Sequence, residues 1–438
     1  MNWFQLALQL KSFPIKKAQH DFAKVVAIPH KDFPAYVEAQ KQNILAYHRK
    51  HNPFYNSLVT NKEDLLWEDL PILTKQDLQQ PLENRLSKTY KVSDVFVNKT
   101  SGSSGTPFIF AKDKYAHAFT WSHIMYLYKQ YDIIPNQSLE ARFYGIPYDF
   151  AGKTKERTKD WMAGRLRFNV FNLNDEVLAS YVELFSRKKF DYINGYTSSV
   201  LQLAKYLHRK NIVLTSVCPS LKLCIVTSEM LFDEDKALME QSFGVPLVNE
   251  YGASELDVIA FQSPEGIWEV NDKTLYVEIV DEHGCILPIG EEGNIVITSL
   301  YNKAHPFIRY KIGDVGVLQE NPLNGRPVLK KLIGRTNDFA LLPSGKRVPG
   351  LTFYYVTKSV IENNGNVKEI KVIQHTAEKF EVEYASSIAL TTLEEQNILK
   401  AMETYLEKGL TIFFTNVSEL KREKSGKLKQ FTSKVQPI

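Results

Sequence analysis

The sequence between residues 175 and 250 alternates between amphipathic helices and short apolar strands, and this alternation limits the possible folds. Helical spacing is present over residues 176–189, 197–210 and 231–243, with Thr197 expected to cap the second helix. Strand-like runs fall between them, at residues 191–196, 221–226 and 246–250. Strands that alternate with helices of this length predict βαβ units and a largely parallel sheet.

The chain has 438 residues, which is too long for one compact core and predicts two or three domains. Strand patterns dominate after residue 270, at 275–280, 294–299 and 328–333. The composition changes near residues 334–338, and strands (368–374, 380–384, 411–414) then surround one helix (393–406). We therefore expect an α/β fold: a large domain, residues 1–334, with mainly parallel sheets layered with helices, and a small mobile α+β domain, residues 335–438.

The first 95 residues have a mostly helical and polar pattern. Thr74, with Asp77 three residues later, predicts a helix N-cap of the capping-box type. The segment over residues 1–17 lacks the unbroken apolar region of a signal peptide and resembles an amphipathic docking helix.

Charge and cysteine content narrow the class of protein. The 54 Lys and Arg residues and 50 Asp and Glu residues are dispersed rather than gathered in a stripe, which argues against nucleic-acid binding. Cys218, Cys224 and Cys285 are too few and too scattered for a disulfide framework or a zinc site. No stretch approaches the roughly 20 apolar residues of a membrane helix. These features predict a cytoplasmic protein.

A run of small and hydroxylated residues lies between two strand patterns, 95–97 and 108–110. Its members are Thr100, Ser101, Gly102, Ser103, Ser104, Gly105, Thr106 and Pro107. Glycine lets a backbone approach a ligand closely, and successive N–H groups can form an anion-binding concavity. The run lacks the Gly-Lys-Ser/Thr ending of a Walker A loop. Alone, it fits a phosphate-binding loop and a solvated Ser/Gly turn equally well.

A second motif, residues 249–255, follows a predicted parallel strand, where ligands of open α/β sheets bind. Tyr251 could stack on a base, and Gly252 permits close approach. Ser254 and Glu255 could meet phosphate and its Mg²⁺. Alone, a strand-end turn with a solvated glutamate is the commoner explanation.

Three further signals follow in order. Asp314, after Gly313, could accept both hydroxyls of a ribose because a carboxylate offers two acceptor oxygens, although an Asp in a β-turn is much commoner. Gly334-Arg335 lies at the predicted domain boundary. The basic run at residues 424–429 contains Lys427, and such a run is usually a solvated tail.

Together and in this order, the five motifs resemble those of the adenylate-forming superfamily of acyl-CoA ligases, luciferases and peptide-synthetase adenylation domains. The resemblance covers nearly the whole chain and is strongest to the phenylacetate–CoA ligase branch, which includes CapK-like relatives. Three positions depart from the family pattern. Asn337 replaces the hinge aspartate, with Asp338 following; Lys311-Ile312 precedes Gly313-Asp314; and prolines flank the 345–348 segment that resembles a thiol-tunnel motif.

The resemblance implies ATP-dependent formation of an acyl-adenylate and then transfer to a thiol, with ATP, Mg²⁺ and CoA as cofactors. The implied catalytic residues are Lys427 and Glu255, with Glu255 also as the Mg²⁺ ligand. The implied phosphate-binding residues are Thr100–Thr106 and Ser254. The implied adenine and ribose contacts are Ser228, Glu229, Tyr251, Gly252, Asp314 and Arg335, and the implied hinge is Asn337 and Asp338.

The acyl pocket is expected between the phosphate loop and the sheet. Its candidates are His123, Tyr144, Gly145, Tyr148 and Tyr196. Aromatic residues more often belong to a core than to a pocket, and His117 and His123 more often pack on or in a helix than bind a ligand.

Two alternatives to the acid–thiol ligase stay open at this point. An adenylating enzyme could deliver the acyl group to a carrier protein, an amine or a sugar, or the chain could be a nucleotide-binding scaffold without catalysis. Retention of Glu255, Asp314 and Lys427 argues against the scaffold. The identity of the acid and the oligomeric state, including a homodimer, are not fixed by the sequence.

Overall fold

The structure is a computed structural model, and it describes residues 11–59, 66–100, 108–135, 137–145, 159–335, 339–350, 352–353, 356–357, 367–423 and 426–435. The chain forms two compact units. The first comprises Met1–Ile312 and Gly316–Lys331, and the second comprises Gly313–Val315 and Leu332–Ile438. The main division along the chain therefore follows Lys331, three residues before the expected boundary.

The described α-helices number ten. They are α1 (Ile15–Val26), α2 (Phe33–His51), α3 (Pro53–Val59), α4 (Leu82–Arg85), α5 (Lys114–Lys129), α6 (Asp175–Arg187), α7 (Thr197–Arg209), α8 (Leu214–Val217), α9 (Asp233–Phe243) and α10 (Thr392–Tyr405). Short 3-10 turns occur at His30–Asp32, Trp67–Asp69 and Val92–Asp94.

Nineteen strands are described. They are β1 (Val95–Lys99), β2 (Ile109–Asp113), β3 (Glu140–Phe143), β4 (Arg165–Phe168), β5 (Tyr192–Tyr196), β6 (Leu223–Thr227), β7 (Leu247–Ala253), β8 (Asp257–Gln262), β9 (Trp268–Val270), β10 (Leu275–Val280), β11 (Glu292–Ser299), β12 (Tyr310–Glu320), β13 (Pro327–Arg335), β14 (Phe339–Leu341), β15 (Arg347–Pro349), β16 (Val367–Gln374), β17 (Lys379–Ser386), β18 (Thr411–Val417) and β19 (Phe431–Ser433).

An eleven-stranded mixed sheet dominates the fold, in the order β10-β11-β12-β13-β9-β8-β7-β6-β5-β3-β4. The strands β4, β3, β5, β6 and β7 pair in parallel. The alternating segment at residues 175–250 thus folds as predicted. From β7 onward the pairing changes: β7–β8, β8–β9, β9–β13 and β10–β11 are antiparallel. The α/β fold class is confirmed.

Helices cover both faces of the parallel half. Helices α6, α7 and α9 pack on one face, where Phe143, Ile193 and Val226 belong to a buried apolar cluster. Helix α5 packs on the other face, against residues that include Ile225 and Val248. Because side chains alternate along a strand, odd and even positions of these strands meet different helices. Because the helices cover the two faces, polar residues can lie at the ends of the strands.

Strands β1 and β2 form an antiparallel pair with Lys99 opposite Ile109. One step further, the Thr100 N–H donates to the Phe108 carbonyl at 2.9 Å, and the Phe108 N–H donates to the Thr100 Oγ1 at 3.1 Å. The Ser/Gly-rich run therefore connects paired strands, as predicted. Residues 101–107 themselves lie outside the described part of the chain.

A fully buried arginine ties several segments of the first unit together. The Arg309 guanidinium donates to the carbonyls of Leu70 and Gly284, each at 3.0 Å. Its Nε lies 3.5 Å from the Glu278 carboxylate, and both side chains are 1% exposed. A buried charge pair, and not only apolar packing, therefore anchors the residue that precedes β12 to strand β10.

The second unit contains a four-stranded sheet in the order β18-β17-β16-β19. Strands β16 and β17 are antiparallel, whereas β19 and β18 add in parallel on either side. Ile398 and Met402 of α10 belong to the same buried cluster as Phe353 and Phe431, whose rings stack 4.4 Å apart. This unit has its own hydrophobic core.

Three local predictions were wrong. Thr197 does not cap α7 but is its first residue, because Tyr196 holds the N-cap position. Thr74 and Asp77 make the reciprocal capping bonds, but they close an isolated turn without a helix. Gly313 and Asp314 lie inside β12 rather than in a turn, with Gly313 at φ +90°.

Candidate functional site

The second sequence motif forms the end of β7 and the turn into β8. Tyr251 is buried, with its ring 6.4 Å from the Trp268 ring in an edge-on arrangement. A β-bulge separates Tyr251 from Gly252. A Cβ at Gly252 would lie 2.7 Å from the Asp257 carbonyl oxygen, so only glycine fits there. The motif therefore forms the end of a strand and a hairpin turn. The strand extends to Ala253, whereas it was predicted to end at residue 250.

Glu255 lies in that hairpin turn and is 7% exposed. The Tyr310 hydroxyl, at the start of β12, donates to its Oε1 at 3.1 Å. A nearly buried carboxylate is costly unless it has partners. The tyrosine holds one carboxylate oxygen in place. This fixed geometry differs from the solvated glutamate that a strand-end turn would give.

A small cavity adjoins Glu255, and its lining includes Lys112, Asp257 and Tyr301. Lys112 of β2 forms an ion pair with Asp257, the first residue of β8, and its own side chain is 5% exposed. The ion pair joins the strand that follows the Ser/Gly-rich run to the hairpin that carries Glu255. Strand β2 and the hairpin, whose paired residues Lys112 and Asp257 are 145 positions apart in sequence, are thereby brought together in the first unit.

The turn after β6 lies beside the end of β7. Ser228 is exposed and has φ +71°, an unusual backbone conformation for a residue with a side chain. The Glu229 carboxylate accepts a bond from the Ser198 N–H at 2.6 Å, and its carbonyl accepts one from the Thr197 hydroxyl at 3.3 Å. A carboxylate at the beginning of α7 accepts hydrogen bonds from the first N–H groups of the helix and interacts favourably with the positive end of the helix dipole.

The remaining nucleotide candidates are placed as follows. Asp314 is buried within β12. Gly334, at φ +125°, and Arg335 end β13. Lys427, in the second unit, is partly buried, and its carbonyl accepts a bond from the Glu423 N–H at 3.0 Å. Ser101–Thr106, Asn337 and Asp338 lie outside the described residues.

The described acyl-pocket candidates belong to strand ends β3 and β5 and to helix α5. Tyr144 follows β3 and Tyr196 ends β5, and their ring centroids lie 4.5 Å apart. The Gly145 carbonyl accepts a bond from Arg167 at 3.1 Å. His123 is fully buried on α5, and its ring lies 5.7 Å from that of Phe22. Tyr148 lies outside the described residues.

The α5 histidines are packing residues. His117 stacks on the Phe96 ring at 4.1 Å, and burial lowers the pKa of His117 to about 4. Burial also holds the pKa of His123 well below its usual value. Both are neutral at pH 7.

Glu250, which immediately precedes Tyr251, is a further candidate that the motifs did not predict. Burial raises the pKa of its carboxyl to about 7, against a lowering effect of its hydrogen bond with Thr227 and of the Arg142 charge. An acidic residue at the end of the strand run 246–250 was the available signal. Its significance depends on neighbours that come from β3 and β6, which the sequence does not place.

The described part of the chain holds no cluster of three or more His, Cys, Asp or Glu residues suited to a metal ion. None of its helices combines the length and apolar character that a membrane crossing requires.

No protein-family model matches the chain. It is similar to Protein CapK of Staphylococcus aureus, with 25% identity over 308 residues that cover 67% of this chain and 66% of CapK. It is also similar to the phenylacetate-coenzyme A ligase of Pseudomonas putida, with 27% identity over 257 residues that cover 56% of this chain and 54% of that enzyme. The matched regions thus span less than two thirds of the length of these relatives.

Among solved structures, a 2-hydroxyisobutyryl-CoA ligase in the postadenylation state matches with a TM-score of 0.68 and 18% identity, covering 91% of this chain and 88% of the ligase. An anthranilate CoA ligase in complex with anthranoyl-AMP matches with a TM-score of 0.54 and 16% identity, over 76% of this chain and 67% of that one. The chain is therefore similar in sequence to CapK and to the phenylacetate-coenzyme A ligases, and its fold is that of these solved CoA ligases.

Proposed function

We propose that this protein uses ATP to activate a carboxylic acid as an acyl-adenylate and then transfers the acyl group to a thiol, that of CoA. The observation that carries the proposal is the β7–β8 hairpin. It holds Glu255 as a nearly buried carboxylate beside Tyr310, with Lys112 of β2 paired to Asp257. A binding scaffold has no need to hold an acidic side chain in this way.

The nucleotide contacts follow from the resemblance. Ser101–Thr106 hold the β- and γ-phosphates, and Ser254, exposed in the hairpin turn, meets the α-phosphate. Tyr251 contacts the adenine and Asp314 the ribose. Tyr251 is buried, and Gly252 has no room for a side chain. The adenine base would therefore contact the Gly252 backbone and the edge of the Tyr251 ring together.

Mg²⁺ fits the single carboxylate of Glu255. This ion keeps several waters and is commonly held by one or two carboxylates together with substrate phosphates. Glu255 has one oxygen bonded by Tyr310, which leaves the other for the ion. The ion would neutralise phosphate charge, while Tyr310 fixes the orientation of the carboxylate.

The first step joins two anions, so positioning and charge stabilisation dominate its catalysis. A carboxylate oxygen of the acid attacks the α-phosphorus, the bond to the bridging oxygen breaks, and pyrophosphate leaves. In the proposal, the Lys427 ammonium stabilises the charge that develops on the bridging oxygens. In the second step the thiolate attacks the acyl carbonyl, and AMP leaves with the bonding electrons.

Acid-dependent exchange of labelled pyrophosphate into ATP tests the first step. We expect exchange with at least one member of a carboxylic-acid panel, and loss of about 100-fold or more in Glu255→Gln. Glu176→Gln, an exposed substitution on α6, is the control and should exchange normally. Absence of exchange with every acid would overturn the proposed function.

A second assay identifies the acceptor. With an acid that supports exchange, added CoA should increase AMP release and yield the thioester. Exchange that continues without any CoA-dependent AMP release would favour delivery to a carrier protein, an amine or a sugar. The cytoplasm, where ATP and CoA are available, is the proposed compartment.

A further inference from the structure

Four side chains form a line across the carboxyl ends of adjacent parallel strands, and we call them the strand-end row: Tyr144, Tyr196, Thr227 and Glu250. Thr227 is in register with Tyr196 on one side and with Glu250 on the other. Tyr144 continues the line, since its ring lies 4.5 Å from that of Tyr196. The row therefore presents two aromatic rings, a hydroxyl and a carboxyl side by side.

A fixed positive charge supports the aromatic end of the row. The Arg142 guanidinium carbon lies 4.1 Å from the centroid of the Tyr144 ring, a cation–π arrangement. Arg142 also donates to the Glu140 carboxylate at 2.9 Å, and the Tyr192 hydroxyl donates to the same carboxylate at 3.2 Å. The stacked and paired guanidinium holds the Tyr144 ring in place.

The acidic end of the row is less completely satisfied. Glu250 is partly buried and hydrogen-bonded with Thr227, and the charges of Glu140 and Asp257 oppose its ionisation. A group that covers this carboxyl without offering a hydrogen bond would remove its remaining water and leave it unpaired, which is costly. A group with an N–H or O–H would replace that water.

The position of Glu250 connects the row to the proposed chemistry. Glu250 directly precedes Tyr251 in β7, and Glu255 follows five residues later. If the carboxylate of an acid reacts near this hairpin, the opposite end of the acid can contact the strand-end row. The ionised form of Glu250 repels the reacting carboxylate, so it favours binding with the other end of the molecule towards Glu250.

We propose that the strand-end row binds the body of the acid substrate, and that Glu250 selects acids that carry an amino or hydroxyl group on that body. The inference rests on the proposed acyl-adenylating function. The Tyr144 and Tyr196 rings supply apolar contact, whereas Glu250 accepts the hydrogen bond that distinguishes a substituted acid from its unsubstituted analogue.

Matched acids test the selection in the pyrophosphate exchange assay, which requires no acyl acceptor. One series is phenylacetate, 4-hydroxyphenylacetate and 4-aminophenylacetate, and the other is propionate, 3-hydroxypropionate and β-alanine. In at least one series, assayed at pH 8 where Glu250 is ionised, we expect kcat/KM to be about 10- to 100-fold higher for a substituted acid than for the parent, as one hydrogen bond to a charged group provides. Glu250→Leu should abolish that preference and leave the KM for ATP unchanged.

Glu269→Gln is the matched control, since Glu269 is partly buried in a strand of the same sheet but lies outside the row, and it should keep the wild-type preference. Exchange that is equal or better with the parent acids, or a preference that survives in Glu250→Leu, would refute the inference while the proposed function stands. Exchange with no acid at all would overturn both. The comparison of substituted and parent acids with the wild-type protein tests the inference even if a variant fails to fold.

Discussion

Replacing Glu250 with glutamine should make the protein more stable at high pH, because the wild-type carboxyl is held in an environment that disfavours its charge. Burial is the main cause that raises its pKa from 4.5 to about 7. The unfolded chain loses this proton near pH 4.5, whereas the folded chain keeps it until about pH 7. Between those values the folded state binds more protons, so Glu250 makes stability fall as pH rises.

The size of the effect follows from the two pKa values. The raised pKa lowers the free energy of unfolding of the wild-type protein by about 3 kcal/mol at pH 8 and by about 1 kcal/mol at pH 5. The difference in unfolding free energy between Glu250→Gln and wild type should therefore grow by about 2 kcal/mol from pH 5 to pH 8. Any constant cost of burying the glutamine amide cancels in this comparison.

Urea unfolding followed by tryptophan fluorescence at both pH values measures the quantity, with the slope on urea checked for constancy. The exposed Glu176→Gln variant should show no comparable change with pH. A Glu250→Gln difference that is the same at pH 5 and pH 8 would refute the reasoning, because it would mean that Glu250 ionises alike in folded and unfolded chains.

Three further predictions concern the core and the chemistry. Arg309→Leu should destabilise the protein by about 3–5 kcal/mol in urea unfolding at pH 7, because Glu278 would be left as a buried charge without its partner; an effect below about 1 kcal/mol would contradict that pairing. Gly195→Ala should lower thermal stability by about 1–3 kcal/mol, because the new Cβ would lie 2.5 Å from the Phe143 Cβ and must displace a packed strand; an unchanged calorimetric midpoint would contradict it. Lys427→Ala should reduce pyrophosphate exchange by about 100-fold or more while thiolation of a supplied acyl-adenylate stays nearly intact, and equal loss of both steps would refute its assignment to adenylation alone.

Much of the architecture was predictable because it depends on local periodicity. The strand predicted at residues 275–280 has those bounds in the structure, and the helix predicted at 231–243 begins only two residues later. Turn chemistry was less reliable. Thr74 and Asp77 form every bond of a capping box, yet no helix follows, because those local bonds also stabilise a single turn.

The candidate site was predictable only in part, for a different physical reason. The motif residues were visible because backbone and charge requirements fix their types, as at Gly252 and Glu255. The strand-end row was not visible, since its members come from four strands and only the sheet order makes them neighbours. Tyr144 and Tyr196 were suspected from their aromatic character, whereas Glu250 needed the register with Thr227.

The strand β7 is at once the last parallel strand of the sheet and the first antiparallel one. Consecutive side chains along it point to opposite faces, and the bulge after Tyr251 allows the following residues to turn independently of those before. Under the proposals above, substrate preference and nucleotide chemistry would therefore occupy neighbouring residues with separate surroundings. Laboratory evolution aimed at position 250 could then alter which acids are accepted without rebuilding the residues from Gly252 to Glu255. Descendants of one such protein could diverge in substrate while their ATP-binding hairpin stays the same.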